Sequence, residues 1–365
     1  MKKYCTVMLA IILLCSLTFS ISAGSSESLT EDTYFERLYD ELPEEVEEFI
    51  PEDAVKDTMS VSGITSLMEF FFNRVLKSFL TLCSEMCLVV IFASLCRRVI
   101  SSFSVHDTLW QIISPLLLST TLFTKLLTLT ERALVYCEKT QVFMNTANVI
   151  MGSILVLGGN TLSSAGLMAT FSAISAALEK GCYALLFPAV RLSMASTVSG
   201  VFSKELSSIG RIARSCFHSL IGVISFFSVL IMTYQGILTQ AEDSLAGKTL
   251  RFAISGSVPI VGGAVGDSIS TLTSSVNVMR SSVWTLGVLS VMILALYPLS
   301  ELSVFKFAVF LAKEFSEALG ATTENQLLCE TLKLINMIIA VVISVSLLYI
   351  FALSLFMLLP LAITS

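Results

Sequence analysis

A chain of 365 residues that is 55 % hydrophobic and only 14 % charged carries more apolar surface than a soluble core of that size hides. This leaves little room for a large soluble domain and predicts an all-α, polytopic integral membrane protein. The net charge of -6 is a local effect, because residues 27–57 hold thirteen acids against Arg37 and Lys56, and the remaining body is slightly basic; nothing in its pattern predicts nucleic-acid binding.

Residues 1–24 read as a secretory signal peptide: Lys2 and Lys3, an apolar run from about Val7 to Ile21, then Ser20, Ser22, Ala23 and Gly24. If uncut, the same stretch becomes an additional helix. Residues 25–77 form an exported acidic segment in which Tyr34, Phe35, Leu38, Tyr39 and Leu42 recur at helical spacing and Pro43 and Pro51 end the runs. It serves either as a solvated spacer or as a docking surface for partners.

Residues 78–365 are the polytopic transmembrane domain. A first span over 79–96 stops at Arg97-Arg98, which the positive-inside rule places in the cytoplasm. The chain is expected to return through 109–130, form two apolar pieces over 142–178 joined at Gly158-Gly159-Asn160, and run inward through 182–202 with Pro188. Those two pieces either span or re-enter. Next come a basic linker with Lys204, Arg211 and Arg214, an outward span over 216–239, a second interrupted pair over 250–282, an inward span over 284–302 with Pro298, and an exit over 332–358.

The two interrupted pairs share one grammar: Gly152-Ser153 and Gly158-Gly159 in the first, Gly256-Ser257 and Gly262-Gly263 in the second, at an offset of 104 residues. Together with Pro188 and Pro298, and with Lys204-Glu205-Leu206-Ser207 and Lys313-Glu314-Phe315-Ser316, this suggests parallel repeats over 142–240 and 246–358. Backbone amides released by Gly and Pro find no partner in lipid. Gly158, Gly159, Pro259, Gly262, Gly263 and Asp267 are therefore the candidate structural or pathway residues.

Asp267 either caps the following helix or handles an ion or substrate. That helix has a hydroxyl-rich face including Ser270, Thr273, Ser274 and Asn277, suited to an aqueous path or to close helix packing. Arg191 belongs to the same class of intramembrane charge, with snorkelling or pairing with Glu179 as the plainer reading.

No catalytic or cofactor motif is recognisable. The nine cysteines lie mostly in apolar runs without a CxxC pair, Cys83 and Cys87 lack companion ligands, and His106 and His218 stand alone. Gly247-Lys248-Thr249 lacks the upstream glycine of a phosphate loop, since residue 242 is Glu. No metal or cofactor is expected, and enzymatic activity is not.

The acidic segment closing at Phe49-Ile50-Pro51, the run Lys248-Thr249-Leu250-Arg251-Phe252, and Pro259-Ile260-Val261-Gly262 followed by Asp267 resemble the stage III sporulation protein AE family of endospore-forming bacteria. The similarity covers nearly the whole chain after the signal and is most specific between about 244 and 287. The resemblance implies a membrane subunit of the sporulation channel, or feeding tube, that links mother cell and forespore and supports forespore development. Its partners would be the other stage III A proteins and, through the complex, stage II sporulation protein Q, with membrane lipid around it and homo-oligomerisation compatible. The implied location is the mother-cell (outer forespore) membrane, with the acidic segment on the extracytoplasmic side. The family assigns no catalytic residues. A secondary transporter or permease with a midplane site near Asp267 is the alternative.

Overall fold

The computed structural model describes residues 107–202, 204–257 and 262–359 and scattered helical positions between 81 and 95, with side chains described over 113–200, 208–238 and 273–359. The expected signal peptide, the acidic segment, the Cys83 and Cys87 pair and Pro259 lie outside the described residues. Among the described residues the chain is helical apart from the turns that join its helices, with no strand. Its long helices are α1 (Asp107–Leu157), α2 (Thr161–Phe202), α3 (Lys204–Ser257), α4 (Gly262–Ala318) and α5 (Thr322–Leu358). All five contain stretches long and apolar enough to cross a bilayer. Helical positions at Thr81, Glu85, Leu88 and Phe92 fall within the expected first span.

The helices outrun the segments that hydropathy delimits. Residues 109–130 and 142–157 are one helix, because the charged stretch between them, Glu131-Arg132-Ala133-Leu134 through Glu138-Lys139, is made largely of strong helix formers without Gly or Pro. In the same way Glu179-Lys180-Gly181 continues α2, and the expected basic linker from Lys204 to Arg214 is the start of α3. Lys204 therefore opens a helix whereas Lys313 lies near the end of one, so these two landmarks of the suggested repeats occupy different elements. Pro188 and Pro298 both lie inside α2 and α4, which run in the same direction.

Helix ends are closed by glycine. At the α1–α2 turn, Gly159 has φ 84°, its N–H donates to Val156 O at 3.0 Å, and Asn160 N–H donates to Leu155 O at 3.0 Å. Gly320 repeats this at the α4–α5 turn, with φ 70° and bonds from Gly320 N to Glu317 O and from Ala321 N to Ser316 O. Both are Schellman caps, which satisfy terminal carbonyls by placing a left-handed residue just past the helix.

At the centre stands α5, packed against each of the other four helices. Its buried positions include Leu334, Ile335, Met337, Ile338 and Ile339, nearly every direction around the axis, as expected for a helix enclosed by protein. It runs parallel to α1 in fixed register. Ser114 Oγ donates to Glu324 Oε1 at 2.6 Å, and the Tyr136 and Ser346 hydroxyls bond at 2.6 Å, both pairs separated by 210 residues. That register holds over about 33 Å of helix at 1.5 Å per residue.

Neighbouring helices approach closely where side chains are small. Gly210 N–H donates to Ser196 Oγ at 2.7 Å across the α2–α3 contact, and a Cβ built on Gly210 would lie 2.8 Å from both Ser196 Cβ and Oγ. Around Gly222, on the outer side of α3, nothing lies within 4 Å. Alanine is favoured over glycine in a helix by about 1 kcal/mol. Gly222→Ala is therefore expected to raise the thermal midpoint of the detergent-solubilised protein and Gly210→Ala to lower it; equal shifts at the two positions would contradict the α2–α3 packing.

Candidate functional site

Runs free of Asp, Glu, Lys and Arg define a common depth in three helices: 215–241 in α3, 281–300 in α4 and 334–358 in α5. Each can fill the roughly 30 Å hydrocarbon core. Ser346, the partner of Tyr136, is the midpoint of the α5 run, so α1 near residue 136 lies at mid-depth. On α2, Gly181 packs against Ile224 of the α3 run, its built Cβ 3.9 Å from Ile224 Cδ1. Residues 131–139 of α1 and 179–180 of α2 thus carry six charges within the depth that the other helices leave uncharged.

Part of this charge is paired inside the bundle. Arg132 Nη1 donates to Glu301 Oε1, joining α1 to α4 where the uncharged α4 run ends. Beside that pair a cavity of about 110 Å³ opens between the two helices, lined by Arg132, Val135, Tyr136, Lys139, Leu294, Tyr297 and Pro298. Pro298 has no N–H for the Leu294 carbonyl, so the helix ladder is interrupted at the cavity wall. Two cationic side chains and two phenols around a break in α4 can receive a small anionic or hydrogen-bond-accepting group.

Further polar links extend the seam. Asn148 Nδ2 donates to Met168 O at 3.1 Å, Ser164 Oγ to Gly152 O at 2.7 Å and Ser175 Oγ to Asn145 Oδ1 at 3.2 Å, all between α1 and α2. Towards one end of the bundle, Arg214 of α3 pairs with Glu330 of α5. Towards the other, the nearly buried Arg280 of α4 donates to the carbonyls of Phe356, of Met357 at 2.7 Å and of Leu359 at 2.8 Å. Phe356 and Met357 belong to the last turn of α5, whose carbonyls lack an amide within the helix, and a guanidinium there also complements the helix dipole.

The residues singled out from sequence are dispersed. Gly158 and Gly159 make the α1–α2 turn, with the Gly158 N–H bonded to Ile154 O at 3.1 Å. Gly262 and Gly263 open α4 and Asp267 lies in its first turns, with side chains outside the described set. Arg191 stacks over Phe187, its Cζ 4.2 Å from the ring centroid. Sequence reasoning did not single out Gly320, Tyr136, Arg132 with Glu301, or the contact made by Arg280. Arg132 and Glu301 lie 169 residues apart, and no local spacing reveals such a pair. No group of three or more His, Cys, Asp or Glu able to hold a metal is present among the described residues.

Five apolar helices, four of them around the buried central α5 and bound to it and to one another by polar contacts at bilayer depth, fit an integral membrane protein. The chain belongs to the stage III sporulation protein AE family, whose model matches residues 45–359. That family is one of sporulation membrane proteins and not a known enzyme family. Comparison with curated proteins gives no match, and comparison with solved structures gives none.

Arg132→Met should destabilise the bundle by leaving the half-buried Glu301 carboxylate without its guanidinium, by about 1–3 kcal/mol. The double variant Arg132→Met/Glu301→Met should recover most of that loss. Thermal or denaturant unfolding in detergent measures both, and purely additive losses would show that the pair is not coupled.

Proposed function

We propose that this protein is a membrane-embedded subunit of the sporulation channel complex between mother cell and forespore, and that it works by assembly rather than by chemistry of its own. The observation that carries this reading is the family match from residue 45 to residue 359, which runs from the acidic segment through α5. The polar seam supports it, because charges placed at bilayer depth are costly unless protein or water covers them. Its partners on this reading are other stage III A proteins and, through them, stage II sporulation protein Q.

The orientation follows from charge. Arg211, Arg214, Lys313 and Lys333 lie towards the end where α3 and α5 begin and α4 finishes, which the positive-inside rule assigns to the cytoplasm. The acidic segment is then extracytoplasmic, in the space between the two membranes of the engulfed forespore.

Single cysteines introduced within 25–77 and within 208–214 are expected to react with a membrane-impermeant maleimide from opposite sides. Labelling of both from one side would overturn the orientation. For function, disruption of the chain should block forespore development, and the purified chain alone in vesicles should show no solute flux. Flux by the isolated protein that Asp267→Asn abolishes would instead establish the transporter reading.

A further inference from the structure

The outward surface of the bundle is of two kinds. On α3 it is built from large apolar side chains, Phe226, Phe227, Leu230, Ile231 and Tyr234 among them, all exposed. Such a surface suits lipid. The outer side of the α1–α2 pair is different at the same depth: Glu131, Glu138 and Lys180 are exposed, and Lys139 and Glu179 are half-buried.

Two further patterns share that side. Val135, Val142, Val149 and Val156 recur every seven residues along α1 and are 44–56 % exposed. A seven-residue apolar repeat keeps one stripe of a helix against another helix, and the described helices leave this one exposed. On α2, Ala165, Ala169, Ala173 and Ala177 recur every four residues, all exposed, and small residues at that spacing allow membrane helices to pack closely. The Asn148–Met168 and Ser164–Gly152 bonds hold the valine and alanine stripes at one level, with the charges immediately beyond.

We propose that this α1–α2 face is the surface on which a second copy of the chain packs, as a two-fold pair with its axis along the membrane normal. Charge complementarity selects the occupant. Both signs occur on the face, Glu131, Glu138 and Glu179 beside Lys139 and Lys180, while Arg132 is held by Glu301, so a second copy can offer an opposite charge at the same depth. A two-fold along the normal returns every residue to its own depth and makes the interface self-complementary. Glu138 of one copy thereby comes opposite Lys180 of the other, which removes both charges from lipid together. The inference concerns the chain's own association and holds whether or not the sporulation-channel reading does.

Disulfide or bismaleimide cross-linking of the full-length chain in membranes tests it, in a background where the nine native cysteines are replaced. Val142→Cys and Ala173→Cys should each give a covalent homodimer, about tenfold above Phe227→Cys on the lipid-suited face of α3. Lys180→Glu should reduce dimer yield from Val142→Cys by about tenfold, and adding Glu138→Lys should restore it. Three results would each overturn the proposal: dimers formed as readily through Phe227→Cys; Val142→Cys and Ala173→Cys remaining monomeric while a charged, impermeant maleimide labels them; and, with a second cysteine introduced by Leu88→Cys or Phe92→Cys, an intramolecular cross-link to Val142→Cys or Ala173→Cys that replaces the dimer. The readout is association alone, so its failure leaves the functional proposal to its own tests.

Discussion

The parallel register of α1 against α5 is the constraint on which the rest of the structure depends. Two hydroxyl-centred contacts, Ser114–Glu324 and Tyr136–Ser346, hold it at a single offset. In lipid a helix pair gains little from the hydrophobic effect, because acyl chains are as apolar as leucine side chains; close packing and hydrogen bonds decide the fit. A slip by one turn would carry the Tyr136 hydroxyl to a Val342 or Ile350 level with nothing to bond. It would also part Arg132 from Glu301, since α4 is itself tied to α5 by Arg280 and by the Trp284–Ser354 contact at 3.4 Å.

Glycine serves this bundle in two ways. At Gly159 and Gly320 it supplies positive φ and ends a helix. At Gly152 and Gly210 it stays helical and lets the next helix approach, so that Ser164 and Ser196 reach the backbone across the gap. A built Cβ at Gly152 would clash with Met168 Sδ, but a thioether at the end of a flexible side chain can turn aside. Gly210 faces Ser196 Cβ, close to the backbone, and has less latitude.

Much of the fold was legible because hydropathy and composition report what lipid tolerates. An all-helical membrane chain, the Gly158-Gly159 turn and the basic end follow from residues read singly or in short windows. The lengths of the helices do not. Glu131 and Lys180 look like loop residues in a hydropathy profile, yet Glu and Lys are good helix formers, and their cost depends on what lies beside them, which is a tertiary property. For the same reason the Arg132–Glu301 pair and the cavity at Pro298 were out of reach. Arg280, within a serine-rich amphipathic stretch, gave no sign that it would bond the end of a helix 76 residues further on.

In α2–α3 and in α4–α5 a proline-bearing helix runs one way and its successor returns, in the same sense both times, as any alternating array of helices requires. Yet α5 is enclosed while α3 presents phenylalanines outward. The two hairpins therefore differ in what covers them. A helix that must be surrounded can be almost wholly apolar, whereas one at the rim must match its medium. By that criterion α3 is matched to lipid, and the charged outer side of α1 and α2 is matched to something that is not lipid.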